Sequence, residues 1–300
     1  TIDYKLCFLA QPDSWRSRIT YFSDLRKEIE SLGANSMLAA KTIKFIGDGA
    51  LSAGTAALLE PYLDDPTSTG LLIWDTDEMI DAAVLFDEQG YQLHIHGIGD
   101  AAVRQALDVI EAVIKVNPTW DRRPVIVHAQ LISESDLPRF AELGVIANYQ
   151  PLWMYLDPMN KELIAPRIGN ARNSLQYQLA TVVKSGARIS YGSDWPVTSY
   201  VPLAALAVPT HRQSPDGFPP EGWSAHEAVS IEESLSFYTA GVAYQHFDED
   251  RTGKLEVGFS ADMMILSANP LKVEPHEVSS INVLATYKRG VEYKVGKDHG

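Results

Sequence analysis

Short apolar runs alternate with longer amphipathic segments along most of the chain. Six of the short runs have the length and composition of buried strands, and the segments after them carry apolar residues at helical spacing. A strand followed by a helix, repeated with short connections, predicts parallel strands joined by crossover helices. Strands are predicted near residues 4, 43, 92, 125, 146 and 189, and helices over 15–33, 75–90, 100–116, 133–144 and 174–186.

An open twisted sheet and a (β/α)8 barrel both have this strand order, and the polar residues decide between them. An open sheet gathers its site at one switch point, whereas a barrel draws functional residues from the ends of many strands. We therefore predict an α/β fold of the TIM-barrel type with about six of the eight strands. The polar residues in or at the C-terminal ends of strands are Lys44, His94, His96, His128, Gln150 and Asp194.

The hydrophobic pattern changes toward the C-terminus. Residues 252–270 contain two short extended runs without a helical period, and residues 281–295 alternate like a hairpin. We predict a barrel domain over residues 1–250, N-terminally incomplete, and the strands of a small β domain over residues 251–300. A helix over 225–241 would join them.

Composition and charge exclude several classes of function. Lys and Arg minus Asp and Glu give 25 − 39 = −14, which disfavours nucleic acid or an anionic membrane as a partner. No apolar run reaches the roughly 18 residues of a membrane span, and no signal-peptide pattern begins the chain. The single cysteine, Cys7, excludes an internal disulfide and fits a reducing compartment, so we predict a cytoplasmic protein.

Two histidines stand two positions apart in the segment "HIHGIGD". Side chains alternate along a strand, so His94 and His96 point to the same side, with His96 nearer the turn. His128 ends the next strand and Asp194 a later one. Two imidazoles and a carboxylate suit Zn²⁺ or a similar ion, so we predict that His96, His128 and Asp194 converge on one metal site. His94 would lie one layer deeper, as a partner of a ligand or as a packed core residue.

Lys44 and Asp194 each have two interpretations. Lys44 lies in an apolar strand, where an unpaired charge is costly. It either reaches a carboxylate such as Asp48 or has reacted with CO₂ to give a carbamate that can bridge two metal ions. Asp194, in "YGSDWP", is either a turn cap or a general base that takes a proton from metal-activated water.

Five segments carry a resemblance that covers nearly the whole chain. They are "IKFIGDGALSAGTAAL", "HIHGIGDAAVRQALDVIE", "VHAQLISESDLPRFAELGV", "GSDWPV" with "PTHRQSP", and "GKLEVGFSADMMIL". In this order they resemble the metal-dependent amidohydrolase superfamily, most closely the amidohydrolase family 3, the YtcJ-like group that includes N-substituted formamide deformylase. The resemblance implies a (β/α)8 barrel with one or two divalent metal ions, zinc above all, and a β-sandwich assembled from both chain ends.

The resemblance also assigns roles by matching position. It implies that His96 and His128 are the metal ligands after barrel strands five and six. Asp194 would be the strand-eight carboxylate, a metal ligand and the catalytic base, and Lys44 the strand-four lysine, carbamylated in that role. The implied reaction is hydrolysis of a C–N bond in a small amide-type substrate by metal-activated water, with Asp194 passing the proton to the leaving amine.

One departure from the family pattern changes the expectation for this chain. The family has an H-x-H pair at the end of the first barrel strand, but no histidine precedes Lys44 here. We therefore expect the chain to begin near barrel strand three, to bind metal weakly or not at all, and to be inactive alone. A second copy or a missing N-terminal segment would cover the open barrel edge. The alternative functions are a catalytically incomplete fragment without metal, and an isomerase or lyase on the same fold.

Three further residues are candidates for smaller roles. Trp153, with Leu152, would make one wall of the substrate pocket more apolar. Arg212 follows the last barrel strand in a loop, where it either grips a substrate carboxylate or is solvated. Asp100 would orient His96 or cap the helix over 100–116, and capping is the favoured role.

Overall fold

The computed structural model describes residues 2–33, 37–214 and 216–293. Strands and α-helices alternate through the first two thirds of this part of the chain, as the periodicity predicts. In chain order the elements are β1 (Tyr4–Leu9), α1 (Trp15–Ser31), β2 (Leu38–Ile46), α2 (Thr76–Glu88), β3 (Gln92–Gly97), α3 (Asp100–Val116), β4 (Val125–His128), α4 (Leu137–Glu142), β5 (Ile146–Tyr149), α5 (Ala165–Asn173), α6 (Leu179–Lys184), β6 (Arg188–Tyr191), α7 (Pro202–His211), α8 (Ile231–Tyr238), α9 (Ala240–Gln245), β7 (Met263–Leu266), β8 (Val283–Lys288) and β9 (Val291–Tyr293).

All six strands predicted from the apolar runs form one sheet, in the order β1-β2-β3-β4-β5-β6. The pairs from β1–β2 to β4–β5 are parallel, so their C-terminal ends lie at the same edge. The register places Lys44 beside His94, and Gly97 beside His128. The prediction of an α/β fold with six parallel strands is therefore confirmed, and the predicted candidates on β2, β3 and β4 lie on neighbouring strands.

The larger of two compact units comprises Ile2–Asn148 and Pro158–Arg188. Side chains along β2 alternate between the two faces of the sheet, and Ile43 and Phe45, which share one face, are both fully buried. The ring of Phe45 packs against Phe86 on α2, with 6.3 Å between ring centroids. Phe45 therefore faces the helical layer, and the residues one position away on β2 face the other side of the sheet.

The second compact unit comprises Tyr149–Asp157 and the chain from Ile189 onward. It contains a three-stranded antiparallel sheet in the order β7-β8-β9. The predicted hairpin is confirmed: Arg289 and Gly290 between β8 and β9 have φ of 52° and 78°, the left-handed pair that a tight hairpin turn needs. Of the two extended runs expected over 252–270, only β7 forms a strand.

Two helices, α5 and α7, were absent from the sequence prediction. In α5 the periodicity is interrupted, since Gly169 has φ 77° and ψ 159° inside the helix. The segment "PLAALAVPTH" of α7 is apolar almost throughout and contains Pro209, so it has no polar face from which a helical period can be read. Hydrophobic periodicity does not reveal either helix, because it requires an apolar face and a polar face at regular helical spacing.

Three predicted helices have different bounds in the structure. The helix expected over 133–144 is divided into a 3₁₀ turn over Glu134–Asp136 and α4. The helix expected over 174–186 is limited to α6, which begins at Leu179. The helix expected over 225–241 is divided into a 3₁₀ turn, α8 and α9. The start of α8 has a local cause: Ser230 accepts from the backbone of Glu233, whose carboxylate accepts from the backbone of Ser230. This capping box ends the preceding segment and begins a new helix. No helix in the described part of the chain is long and apolar enough to cross a membrane.

Asp262 ties the segment before β7 to the end of β8. Its carboxylate accepts from the Lys288 ammonium at 2.7 Å, the Arg289 backbone at 2.7 Å and the Ser260 hydroxyl at 2.9 Å. Partial burial acts to raise the pKa of this carboxyl, but the hydrogen bonds outweigh it and the net pKa is lowered. A lowered folded-state pKa stabilises the fold above the unfolded value of about 3.9, and that contribution is lost as the pH falls through the folded value.

We expect Asp262→Asn to lower the free energy of unfolding by about 1 kcal/mol at pH 7. The difference from the unsubstituted chain should shrink below about pH 4, where the unfolded carboxyl is already protonated. Urea titrations at several pH values measure it, with the exposed Asp250→Asn as the control for a surface charge change. A difference that stays constant down to pH 3 would rule out the ionised form as its source.

Candidate active site

His96 and His128 meet at the C-terminal ends of β3 and β4. Their ring centroids are 4.6 Å apart, and the ring planes are inclined at 74°. The side chain of His128 is buried, with 4% of the residue exposed. The predicted proximity of the two imidazoles is therefore present, and their role as metal ligands stays a prediction.

The backbone of His128 adopts an unusual conformation. Its φ is 74° and that of the following Ala129 is 41°, both in the left-handed region. A residue with a Cβ held there costs about 1 kcal/mol or more, and such strain gathers at functional sites. The sequence gives no sign of it, because neither residue is glycine or asparagine.

The carboxylate of Asp48 lies beside His96, a contact that was not predicted from the sequence. It lies two residues after β2, with a side chain that is 0% exposed, and its Oδ1 is 3.3 Å from Nε2 of His96. The carbonyl oxygen of Gly49 lies 3.2 Å from the same nitrogen. Two acceptors facing Nε2 require the proton there, which leaves the lone pair on Nδ1. The sequence analysis considered Asp48 only as a partner of Lys44.

Lys44, His94 and Cys7 lie on one face of the sheet. Lys44 is beside His94 in the register and alternates with Ile43 and Phe45, so it points away from the helices. The Sγ of Cys7 is 3.8 Å from Nδ1 of His94. Cys7 is exposed overall, but partial removal of its thiol from water raises the thiol pKa, and the charge of Lys44 offsets part of that rise. His94 therefore contacts β1, and its predicted place as a partner of a ligand or as a core residue stays a prediction.

Asp100 is the first residue of α3, and its carboxylate also holds the loop after β2. The N-cap residue of α3 is Gly99, so Asp100 lies one position inside the helix, where its carboxylate also accepts from backbone N–H groups of the first turn. The Asp100 Oδ1 accepts the backbone N–H of Leu59 at 2.9 Å. Burial raises the pKa of this carboxyl against the opposing effect of that hydrogen bond. The suggestion that Asp100 orients His96 stays a prediction.

Three predicted site residues, Asp194, Trp153 and Arg212, belong to the other compact unit. Asp194 is exposed, has φ 54° and begins the turn in which Val197 donates to its carbonyl at 2.8 Å. Trp153 ends a half-buried 3₁₀ turn directly after β5. Asp194 thus presents a carboxylate to solvent on a left-handed backbone, and its role as base or ligand stays a prediction.

Arg212 is buried, with 0% of the residue exposed, which excludes the solvated loop considered from the sequence. Its Nε donates to the carbonyl of Trp223 at 3.0 Å, and its guanidinium lies 5.3 Å from the Trp223 ring centroid. Burial raises the pKa of Tyr149, the carboxylate of Glu227 raises it further, and the charge of Arg212 opposes both. The arginine therefore has a place in a buried polar cluster, and its predicted contact with substrate stays a prediction.

The described residues contain no group of three or more His, Cys, Asp and Glu side chains arranged to hold a metal ion. Of the predicted ligands, Lys44, His96 and His128 belong to one compact unit and Asp194 to the other.

Comparison with known proteins finds one family model and several relatives that match most of this chain. The sequence profile described as "Amidohydrolase family" matches residues 8–292. The chain is 32% identical over 249 residues to Protein LONG AFTER FAR-RED 3 of Arabidopsis thaliana, covering 83% of this chain and 42% of that protein. It is 28% identical over 227 residues to N-substituted formamide deformylase of Arthrobacter pascens, covering 75% of this chain and 40% of that protein.

A solved structure gives the same result for the fold. An uncharacterized metal-dependent hydrolase from Pyrococcus furiosus superposes with a TM-score of 0.68 and 32% sequence identity, over 83% of this chain and 50% of that one. The predicted barrel-type fold and family resemblance are thereby confirmed. The chain spans about half the length of these relatives.

Proposed function

Because the chain belongs to the amidohydrolase family, we propose that its protein is a metal-dependent hydrolase that cleaves the C–N bond of a small amide-type substrate. The observation that carries this proposal is the 4.6 Å approach of the His96 and His128 rings at the ends of neighbouring parallel strands. The name of the related deformylase supports an N-substituted amide, because a formamide is cleaved at its C–N bond.

The residues on the strand ends fit a divalent ion. His96 would bind it through Nδ1, because Nε2 faces the oxygens of Gly49 and Asp48. His128 would supply a second imidazole, and Lys44, as a carbamate, and Asp194 would supply oxygens. Nitrogen and oxygen donors of this kind suit zinc, as one ion or two. When bound, the metal would polarise the substrate carbonyl and lower the pKa of water.

The remaining steps fall to side chains of this chain. Asp194 would take a proton from the attacking water and deliver it to the leaving amine, for which an exposed carboxylate is suited. Trp153 would present an apolar surface to the substrate, and Arg212 would bind a substrate carboxylate if that buried cluster opens.

Location and assembly are further parts of the proposal. A cytoplasmic location rests on the single cysteine, and assembly with a second copy is proposed for the exposed edge strand β1.

Removing metal from the active enzyme tests the proposal. We expect dialysis against a chelator to abolish hydrolysis of N-substituted formamides and Zn²⁺ to restore it, because the ion supplies the activation of water. Elemental analysis follows the metal, and chelator already saturated with Zn²⁺ is the control. Full activity without metal would refute the proposed mechanism, and a product without ¹⁸O from labelled water would favour an isomerase or lyase.

A further inference from the structure

Asp48 is a fully buried carboxylate for which the proposed reaction has no direct use. Its side chain is 0% exposed. Its Oδ1 accepts the backbone N–H of Ile98 at 3.0 Å, and its Oδ2 accepts those of Gly99 at 2.8 Å and Ala57 at 2.9 Å. All three donors are backbone amides in the β3–α3 turn or in the loop after β2, so both segments converge on one side chain.

The same carboxylate faces the imidazole of His96. Its Oδ1, which already accepts from Ile98, lies 3.3 Å from His96 Nε2. The carbonyl of Gly49, the residue after Asp48, lies 3.2 Å from that nitrogen. Asp48 therefore acts on His96 twice: it contacts the ring, and it fixes the turn that directly follows the strand end carrying the ring.

Close approach of the backbone makes this arrangement rigid. A Cβ on Gly99 would lie 1.9 Å from the carbonyl oxygen of Ala57, and a Cβ on Gly47 would lie 2.5 Å from that of His96. The backbone segments around Asp48 therefore pack so closely that a side chain larger than that of glycine does not fit at these two positions. A carboxylate so held cannot turn away from His96 without moving the turn.

We propose that Asp48 is a positioning residue that fixes the tautomer and orientation of His96, with the proton on Nε2 and the lone pair on Nδ1. The inference rests on the proposed metal-dependent function. A carboxylate or carbonyl oxygen on the far nitrogen of a metal-binding imidazole sets its geometry, and its loss typically weakens metal binding about 10–100-fold. Asp48 and Gly49 supply both kinds of partner to the same nitrogen.

The first test reads the tautomer without any change at Asp48. In ¹H–¹⁵N spectra of the metal-free chain at neutral pH, we expect His96 as the Nε2–H tautomer, with its signals assigned by their loss in His96→Gln. An Nδ1–H tautomer would overturn the inference, because neither Gly49 nor Asp48 could then accept from Nε2. This outcome is independent of whether the chain binds metal.

The second test measures Zn²⁺ affinity by competition with a chromophoric chelator. We expect Asp48→Asn to weaken binding about 10–100-fold. The matched control is Asp87→Asn: Asp87 is equally buried and accepts from Asn117, Trp120 and Arg122 in the helical layer. It should lower stability while changing Zn²⁺ affinity less than about threefold, since its hydrogen-bond partners do not include His96 or His128.

The two tests separate failure of this inference from failure of the proposed function. Zn²⁺ binding by the unsubstituted chain and by Asp48→Asn with equal affinity would overturn the positioning role and leave the hydrolase proposal standing. If the unsubstituted chain binds no Zn²⁺, as expected without the H-x-H pair, the tautomer measurement alone decides the role of Asp48. If Asp48→Asn fails to fold, the tautomer decides alone.

Discussion

Replacing His128 by alanine in the active enzyme is expected to lower kcat/KM by roughly a thousandfold or more, which corresponds to about 4 kcal/mol of transition-state stabilisation. The imidazole is buried and its ring centroid lies 4.6 Å from that of His96, so alanine removes one of the two neighbouring imidazole donors of the proposed site. Steady-state kinetics and zinc content measure the effect. His226→Ala is the control, because that side chain is 68% exposed.

The backbone of His128 adds a test that separates function from stability. At φ 74°, alanine keeps the strain of a left-handed residue with a Cβ, whereas glycine relieves it. We expect His128→Gly to be no less stable than His128→Ala in urea titrations, the reverse of the usual order, although both are inactive. A His128→Ala variant with near-normal activity would contradict the ligand role. If His128→Gly is about 1 kcal/mol less stable than His128→Ala, the backbone at position 128 is not strained in the way proposed.

Replacing Lys44 by alanine is expected to abolish activity, and short carboxylic acids such as formate or acetate are expected to restore part of it. Lys44 faces the same side of the sheet as His94, with Ile43 and Phe45 directed to the other side. If the lysine acts as a carbamate, its essential part is a carboxylate-like group, which a small acid can supply in the space that the side chain leaves. Activity measured against acid concentration should saturate.

Two substitutions discriminate between the interpretations of Lys44. Lys44→Arg keeps a positive charge and cannot form a carbamate, so it should be inactive if the carbamate bridges metals and active if the lysine serves only to pair with a carboxylate. Lys41→Ala, on the same strand but exposed, is the matched control and should keep normal activity. Normal activity of Lys44→Arg, with no rescue of Lys44→Ala by acids, would remove the carbamate from the mechanism.

Much of the site on β2, β3 and β4 could be predicted, because it depends on strand ends. Once the apolar runs are strands of a parallel sheet, Lys44, His96 and His128 must approach the same edge, since parallel strands place their C-terminal ends together. The contact of Asp48 with His96 could not be predicted, for a related reason. Its partners Ile98, Gly99 and Ala57 lie in turns and loops, where no periodicity records which segment lies against which.

By itself, the sequence determined the order of strands and helices and the face on which each strand residue lies. Burial imposes a period on side chains, and the order of apolar and polar residues records that period. Only the tertiary structure decided that His128 has a left-handed backbone, that Arg212 is buried and that the Asp48 carboxylate faces His96. These features depend on contacts between segments far apart in the chain, and local propensity carries no information about a partner that lies in another segment.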